Sequence, residues 1–333
     1  MRAGAIFAAV IALVALASSA APGARAKARF AVIDMHFHAE HADAEGPPGG
    51  KVCVPYTSWA PRDPGQPIDR YLDWFTVHPT CPLALTAPAT DQAVRDQGLA
   101  MLARYNMLAL AGGDPAIVRD FADHAQGRIL PAVALGDPQA FPSIASLRKL
   151  HAEGRLQALS EITTQYYGIA PDDPRLEPYF AFAEELDIPV GIHVGPGPPG
   201  TAYFATPGYT VAAGDPLRLE PVLKRHPRLR IYAMHAGWPL GDAMIAMLYA
   251  HPQLYVDTGI LDYAYPTKDF YAYLKRLVDA GLTERILFGS DQMVWPNAIP
   301  IAIRRIEQAP FLTPVQKRLI LHDNAARFLR IEG

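Results

Sequence analysis

Eight short apolar segments, each followed by an amphipathic helical segment, constrain the fold of this chain more than any other feature. The apolar segments lack the alternation of polar and apolar residues, which is typical of strands covered on both faces of a parallel sheet. Strands that alternate with helices predict βαβ units, and eight units favour a closed (β/α)8 TIM barrel over an open sheet. The predicted strands lie at 30–34, 106–111, 128–135, 156–162, 188–193, 229–235, 254–258 and 286–290.

Two long connections interrupt this alternation, and both leave the carboxyl end of a predicted strand. Residues 39–90 follow the first strand and residues 195–214 follow the fifth, and both are rich in Pro and Gly. Loops of this length are usually functional, and the carboxyl ends of the strands form the catalytic face of such barrels. We expect the two loops to shape a substrate pocket and a last helix at 313–329 to pack outside the barrel.

The first 26 residues have the pattern of a secretory signal peptide. Arg2 precedes an uncharged stretch at 3–23, and residues 24–26 read Ala-Arg-Ala, an A-x-A cleavage site. The alternative is a membrane anchor, but the apolar part is short for a span and is interrupted by a proline and a glycine. We expect an exported, periplasmic or secreted protein in which residues 27–333 form the barrel domain, with no membrane contact after cleavage.

The charge and the cysteine spacing argue against a nucleic-acid-binding protein and against a cysteine-based zinc site. The chain has 30 Lys and Arg against 33 Asp and Glu, a net charge of −3, which gives no basic field for nucleic acid. Cys53 and Cys81 lack the C-x-x-C spacing of zinc sites. In an oxidising compartment they could form a disulfide, with two unpaired thiols as the alternative. The sequence leaves open whether the chain forms a homo-oligomer.

Polar residues at the carboxyl ends of five predicted strands indicate a metal site. The extended segment that begins with the apolar residues 30–34 ends at His36 and His38, and residues i and i+2 of an extended chain point to the same side. Two imidazoles placed in this way can bind one cation. The other four residues at strand ends are Glu161, His193, His235 and Asp291. Histidines with a carboxylate and an open coordination position form the ligand set of a catalytic metal.

These motifs together resemble the amidohydrolase superfamily, in particular its amidohydrolase-related branch (amidohydrolase 2), which also contains non-oxidative aromatic-acid decarboxylases. The resemblance covers about residues 30–330. The matching motifs are D-M-H-F-H at 34–38, S-E-I at 160–162, G-I-H-V-G at 191–195, M-H-A-G at 234–237, F-G-S-D at 288–291 and H-D-N-A-A-R-F at 322–328.

The resemblance implies one or two divalent ions, zinc or manganese, and assigns roles to the residues at the strand ends. His36, His38 and His193 are implied to be metal ligands. Asp291 is implied to be a ligand that also accepts a proton from the attacking water. His235 is implied to be a further ligand in a two-metal site, or a group that hydrogen-bonds water or substrate in a one-metal site.

Glu161 departs from the best-known family pattern. Many two-metal members carry a carboxylated lysine at this position, whereas this chain has a glutamate. A glutamate can bridge two cations, or it can accept a hydrogen bond from a ligand histidine. The sequence leaves both roles open.

The implied reaction is hydrolysis of an ester, lactone or amide bond of a small molecule, because a bound dication activates water and polarises a carbonyl. The alternative is metal-dependent decarboxylation of an aromatic or related acid. A non-catalytic binding protein on the same scaffold would lack expected ligands, and none is missing.

Several other residues are weaker candidates for the site. Asp34 could orient a ligand histidine, and His41 and His78 in the first long loop could contact substrate. The aromatic residues that could line the pocket are Trp59, Trp74, Tyr166, Tyr167, Trp238 and Trp295.

Overall fold

The computed structural model describes residues 30–331, and the predicted signal peptide lies outside the described residues. Within this part of the chain the strands are β1 Val32–Ala39, β2 Lys51–Cys53, β3 Ala84–Thr86, β4 Met107–Gly113, β5 Ile129–Leu135, β6 Ala158–Ile162, β7 Val190–His193, β8 Ile231–Met234, β9 Tyr255–Asp257 and β10 Ile286–Leu287. Strands β1 and β4 to β10 form one sheet in chain order, and every neighbouring pair is parallel.

Two backbone hydrogen bonds connect the last barrel strand to the first. The amide of Met35 donates to the carbonyl of Phe288 (2.9 Å), and the amide of Asp291 donates to the carbonyl of His36 (2.6 Å). The eight strands therefore form a nearly closed barrel, and the predicted (β/α)8 fold is confirmed. No helix of the described residues is long and apolar enough to cross a membrane.

Helices follow the barrel strands, and several begin at side chains that cap their first turn. The helices are α1 Ile68–Leu72, α2 Asp91–Arg104, α3 Pro115–His124, α4 Ile144–Ala152, α5 Glu177–Leu186, α6 Glu220–Arg225, α7 Gly241–Ala250, α8 Thr267–Asp279, α9 Ile299–Glu307, α10 Pro314–Arg318 and α11 Asn324–Leu329. The side chains of Thr90, Asp114 and Ser143 accept hydrogen bonds from amides in the first turns of α2, α3 and α4, which satisfies donors that a helix leaves free.

A register shift in β1 separates the apolar interior of the barrel from the site above it. The pairing of β1 with β4 shifts between Asp34 and Phe37, as at a β-bulge. Met35, within the shifted segment, still points inward and belongs to the interior apolar cluster. Phe37 above the shift packs outward against Phe121, with the ring centres 6.3 Å apart. The shift brings His36 and His38 to the inner side of the strand together.

The C-terminal segment corrects one expectation. It is helical over the predicted range, with α10 and α11 joined by a π-helical turn at Leu319–Asp323, but it does more than cover the outside of the barrel. Ala325 and Phe328 belong to the apolar cluster of the barrel interior. The ring of Phe328 lies 5.7 Å from that of Tyr232, near the amino end of β8. The segment closes the amino-terminal end of the barrel because its apolar face completes the interior core.

The long loop after β1 contains elements that the sequence analysis did not predict. Strands β2 and β3, between which α1 lies in the chain, pair as a two-stranded antiparallel sheet. Cys53 and Cys81 form a disulfide, one of the two alternatives that the sequence left open. The amide of Tyr56 donates to the carbonyl of Ala264 (2.8 Å), and the indole of Trp295 donates to the carbonyl of Gly50 (3.0 Å). These contacts attach the loop to the catalytic face of the barrel.

Candidate metal centre

The structure brings the six predicted residues together at the carboxyl ends of the strands, with Glu161 between two pairs of histidines. Glu161 Oε2 lies 3.7 Å from the Nε2 atoms of both His36 and His38. Its other oxygen, Oε1, lies 3.4 Å from His235 Nε2 and 4.0 Å from His193 Nε2. Each pair of imidazoles therefore faces a different oxygen of the same carboxylate.

Asp291 approaches this cluster from the last barrel strand. Its Oδ1 lies 3.0 Å from His38 Nε2 and 3.5 Å from His36 Nε2, and its Oδ2 lies 3.5 Å from His235 Nδ1. Both His235 and Asp291 have positive φ angles, 55° and 49°. Such backbone geometry is uncommon outside glycine and clusters at functional sites.

Several ring nitrogens of the cluster are buried without a hydrogen-bond partner. They are the Nε2 atoms of His36, His38 and His235. Glu161 Oε1 is also buried without a hydrogen-bond partner. Buried polar atoms are normally paired, so these lone pairs fit a bound cation. Two ligand atoms on one tetrahedral zinc ion lie about 3.4 Å apart, which is close to the distances across this cluster. The residues present therefore fit a divalent metal.

The pKa values of the cluster indicate which of its side chains are charged. Burial alone would raise the pKa of Asp291, but the neighbouring His36 and His38 lower it to about 2. Burial also opposes ionisation of Glu161, yet His235 and His36 bring its pKa well below the usual range. Burial and His235 together lower the pKa of His193 to about 3. The carboxylates are therefore ionised and His193 is neutral at neutral pH. Burial opposes protonation of His36, His38 and His235, but the neighbouring carboxylates raise the pKa of all three rings, so a cation bound here would have to displace their protons.

Each histidine ring also has a neighbour at Nδ1, and the sequence analysis did not identify these neighbours. They are Asp257 Oδ2 (3.1 Å) for His36, Glu40 Oε1 (3.1 Å) for His38, the Gln165 amide (2.6 Å) for His193 and the Gly259 carbonyl (3.1 Å) for His235. The carboxylates of Asp257 and Glu40 and the Gly259 carbonyl can accept a hydrogen bond from Nδ1, as partners that orient metal-binding imidazoles do. The Gln165 amide nitrogen instead donates to Nδ1 of His193, so the proton of that neutral ring lies on Nε2.

Some of these neighbours could have been found from the sequence. Asp257 directly follows an apolar run at a strand end, the criterion that selected the other carboxylates, and Glu40 lies two residues after His38. Asp34, considered as a partner for a ligand ring, instead accepts the backbone amides of His36 (3.0 Å) and Ser290 (2.8 Å). It holds the ends of the first and last strands together.

A cavity of about 590 Å³ opens above the cluster. Of the predicted aromatic residues, the ones in its wall are Trp59, Tyr166, Tyr167, Trp238 and Trp295, joined by Tyr56 and Tyr265. Trp74 does not line this cavity and packs against Tyr56 and Tyr71. His41 and His78 do not line it either, because they are exposed and pair with Asp91 and Asp73. The wall is mainly apolar and aromatic, with Glu40, Glu45 and Lys51 as its charged residues outside the cluster, as expected of a pocket for a small molecule.

A (β/α)8 barrel with buried histidines and carboxylates at the carboxyl ends of its strands defines a class of metal-dependent enzymes. Residues 33–331 match the family model Amidohydro_2, described as amidohydrolase. The chain therefore belongs to the amidohydrolase-2 family and is an enzyme, and the predicted resemblance is confirmed. No curated protein matches the chain.

Solved structures share the fold at low sequence identity. A probable 2-pyrone-4,6-dicarboxylic acid hydrolase from Acinetobacter baumannii is 12% identical with a TM-score of 0.55, over 91% of this chain and 100% of that one. A TIM-barrel protein from Bordetella bronchiseptica is 20% identical (TM-score 0.53, 69% and 80%). A 5-carboxyvanillate decarboxylase from Novosphingobium aromaticivorans with bound manganese is 14% identical (TM-score 0.51, 70% and 80%).

Proposed function

We propose that this enzyme is a metal-dependent hydrolase that activates water to cleave an ester, lactone or amide bond of a small molecule. The observation that carries the proposal is the set of buried, unpartnered Nε2 atoms of His36, His38 and His235 at the floor of an aromatic cavity, beside the ionised Asp291. A floor of this kind combines metal ligands, a proton acceptor and room for a substrate.

The six residues of the cluster would hold zinc or manganese. When bound, such an ion lowers the pKa of water at the site and polarises the substrate carbonyl. Asp291 is placed to accept the proton of the attacking water and to return it to the leaving group. Tyr166 extends from the cavity wall, with its hydroxyl 3.1 Å from His193 Nε2, and can donate a hydrogen bond to substrate.

The experiment that tests the reaction compares substrate classes on the zinc- or manganese-loaded enzyme. Aryl esters, lactones and hydroxybenzoates are incubated with the protein, and acid products and carbon dioxide are both measured. We expect hydrolysis of at least one ester or lactone. Carbon dioxide release without hydrolysis would contradict the proposal and support a decarboxylase. Absence of bound metal, with no activity after reconstitution, would support a binding protein.

We further propose that the centre holds two ions and that Glu161 bridges them. The support is its position, with one oxygen toward His36 and His38 and the other toward His193 and His235. We expect Glu161→Gln to lower the metal content from two ions per chain to one, measured by elemental analysis. The amide keeps the size of the side chain but removes the charge and one of the two ligand oxygens.

A matched control is Glu153→Gln, because Glu153 lies on the surface and pairs with Arg155 (3.2 Å). This variant should bind as much metal as the wild type. One ion in the wild type and one in Glu161→Gln would contradict the bridge and leave Glu161 as a hydrogen-bond acceptor of a ligand histidine.

A further inference from the structure

Asp257 at the end of β9 is fully buried, and both of its carboxylate oxygens are occupied. Oδ1 accepts two backbone amides, those of His235 (2.9 Å) and Gly259 (3.0 Å). Oδ2 lies 3.1 Å from Nδ1 of His36. The same side chain therefore contacts a residue from each of the two histidine pairs.

The contact with His36 decides which nitrogen of that ring carries the proton. An ionised carboxylate can only accept hydrogen bonds, so Nδ1 must be the donor in a Nδ1–Oδ2 hydrogen bond. The neutral ring then has its lone pair on Nε2, the atom that faces Glu161 and Asp291. The orientation and tautomer of a metal-binding imidazole are commonly fixed by such a contact.

The ring of His36 has little room to adopt another orientation. A Cβ atom added to Gly259 would lie 2.5 Å from Nδ1 of His36, and one added to Gly289 would lie 2.7 Å from its Cβ. Both distances are shorter than real Cβ contacts, so Gly259 packs directly on the ring and Gly289 packs on the Cβ atom that carries it. The orientation is set by this packing, and the position of the proton is set by Asp257.

We propose that Asp257 is a positioning residue that couples the two histidine pairs. Through Oδ2 it holds the tautomer of His36 that leaves Nε2 free, and through Oδ1 it holds the backbone of His235. This inference rests on the proposed metal centre, but the contacts that support it lie outside the ligand set.

The isosteric variant Asp257→Asn tests the coupling. The amides of His235 and Gly259 still require an acceptor, so the new side-chain carbonyl takes the place of Oδ1. The NH2 group then faces His36 Nδ1 and donates to it, which moves the ring proton to Nε2, the ligand atom. We expect metal to bind about 100-fold more weakly, the upper end of the effect of such partners, as measured by competition with a chelator.

Asp262→Asn is the matched control. Asp262 is also fully buried and accepts a hydrogen bond from Thr258 Oγ1 (2.9 Å), but it contacts none of the six residues of the cluster. This variant should bind metal as tightly as the wild type. Wild-type affinity in folded Asp257→Asn, or an equal loss in both variants, would overturn the inference.

A second measurement reads the tautomer directly and does not depend on bound metal. Nitrogen-15 NMR of histidine-labelled wild-type protein at alkaline pH, where the ring is neutral, should show His36 protonated at Nδ1. In Asp257→Asn the proton should appear at Nε2. A wild-type His36 protonated at Nε2 overturns the inference even if the variant does not fold. If the wild type has the expected tautomer but binds no metal, the proposed function is contradicted and the inference about Asp257 is not.

Discussion

Asp291→Asn is expected to lower kcat/KM for the hydrolysed substrate by about 10³-fold, the range in which a general base contributes. The carboxylate of Asp291 lies against His36 and His38, which keep it ionised with a pKa of about 2. An amide of the same shape cannot accept the proton of the attacking water. Steady-state kinetics, expressed per bound metal ion, separate this loss from a loss of metal.

The surface variant Asp123→Asn serves as the control for exchanging a carboxylate for an amide. Its side chain is 65% exposed, and we expect kcat/KM within twofold of the wild type. If Asp291→Asn with full metal content retained activity within about tenfold, Asp291 would not be the base. Proton transfer would then have to be assigned to another residue of the cluster.

Phe328→Ala is expected to lower the free energy of unfolding by about 3–5 kcal/mol, the usual cost of removing a buried phenylalanine ring. Phe328 is 3% exposed and fills the amino-terminal end of the barrel together with Tyr232 and Tyr255. The truncation leaves a cavity that the closed strands cannot collapse to fill. Chemical denaturation followed by circular dichroism measures the change.

Val315→Ala in the same C-terminal segment should change the free energy of unfolding by no more than about 0.5 kcal/mol, because Val315 is 69% exposed. Equal effects of the two substitutions would be inconsistent with closure of the barrel by α11. A helix that merely covered the outside of the barrel, as the sequence alone suggested, would predict a smaller difference between them.

The sequence predicted the barrel because its strands are continuous apolar runs and its helices are amphipathic. Such patterns can be identified in the local sequence without knowledge of contacts between distant residues. The same patterns identified the strand ends, so the six candidates from His36 to Asp291 could be selected before any distance was known. Parallel strands of a barrel all present their carboxyl ends on one face, which is why residues so far apart in sequence converge.

Other features depend on contacts between distant residues, and local patterns do not encode those. The β2–β3 pair is short and joins segments far apart in the chain, and the disulfide and the contacts with the barrel stabilise it. In the sequence, the C-terminal helix is an ordinary amphipathic segment. Phe328 points into the barrel because the amino-terminal end of the barrel would otherwise be open.

The sequence by itself determined the barrel, its catalytic face and the set of candidate metal-binding side chains. Only the tertiary structure decided that Glu161 lies between two pairs of histidines and that Asp257 contacts His36. The physical reason is that residue type and strand position follow from periodicity along the chain. Which oxygen faces which nitrogen depends instead on the register of neighbouring strands, on the shift within β1 and on the glycines that let the His36 ring pack closely.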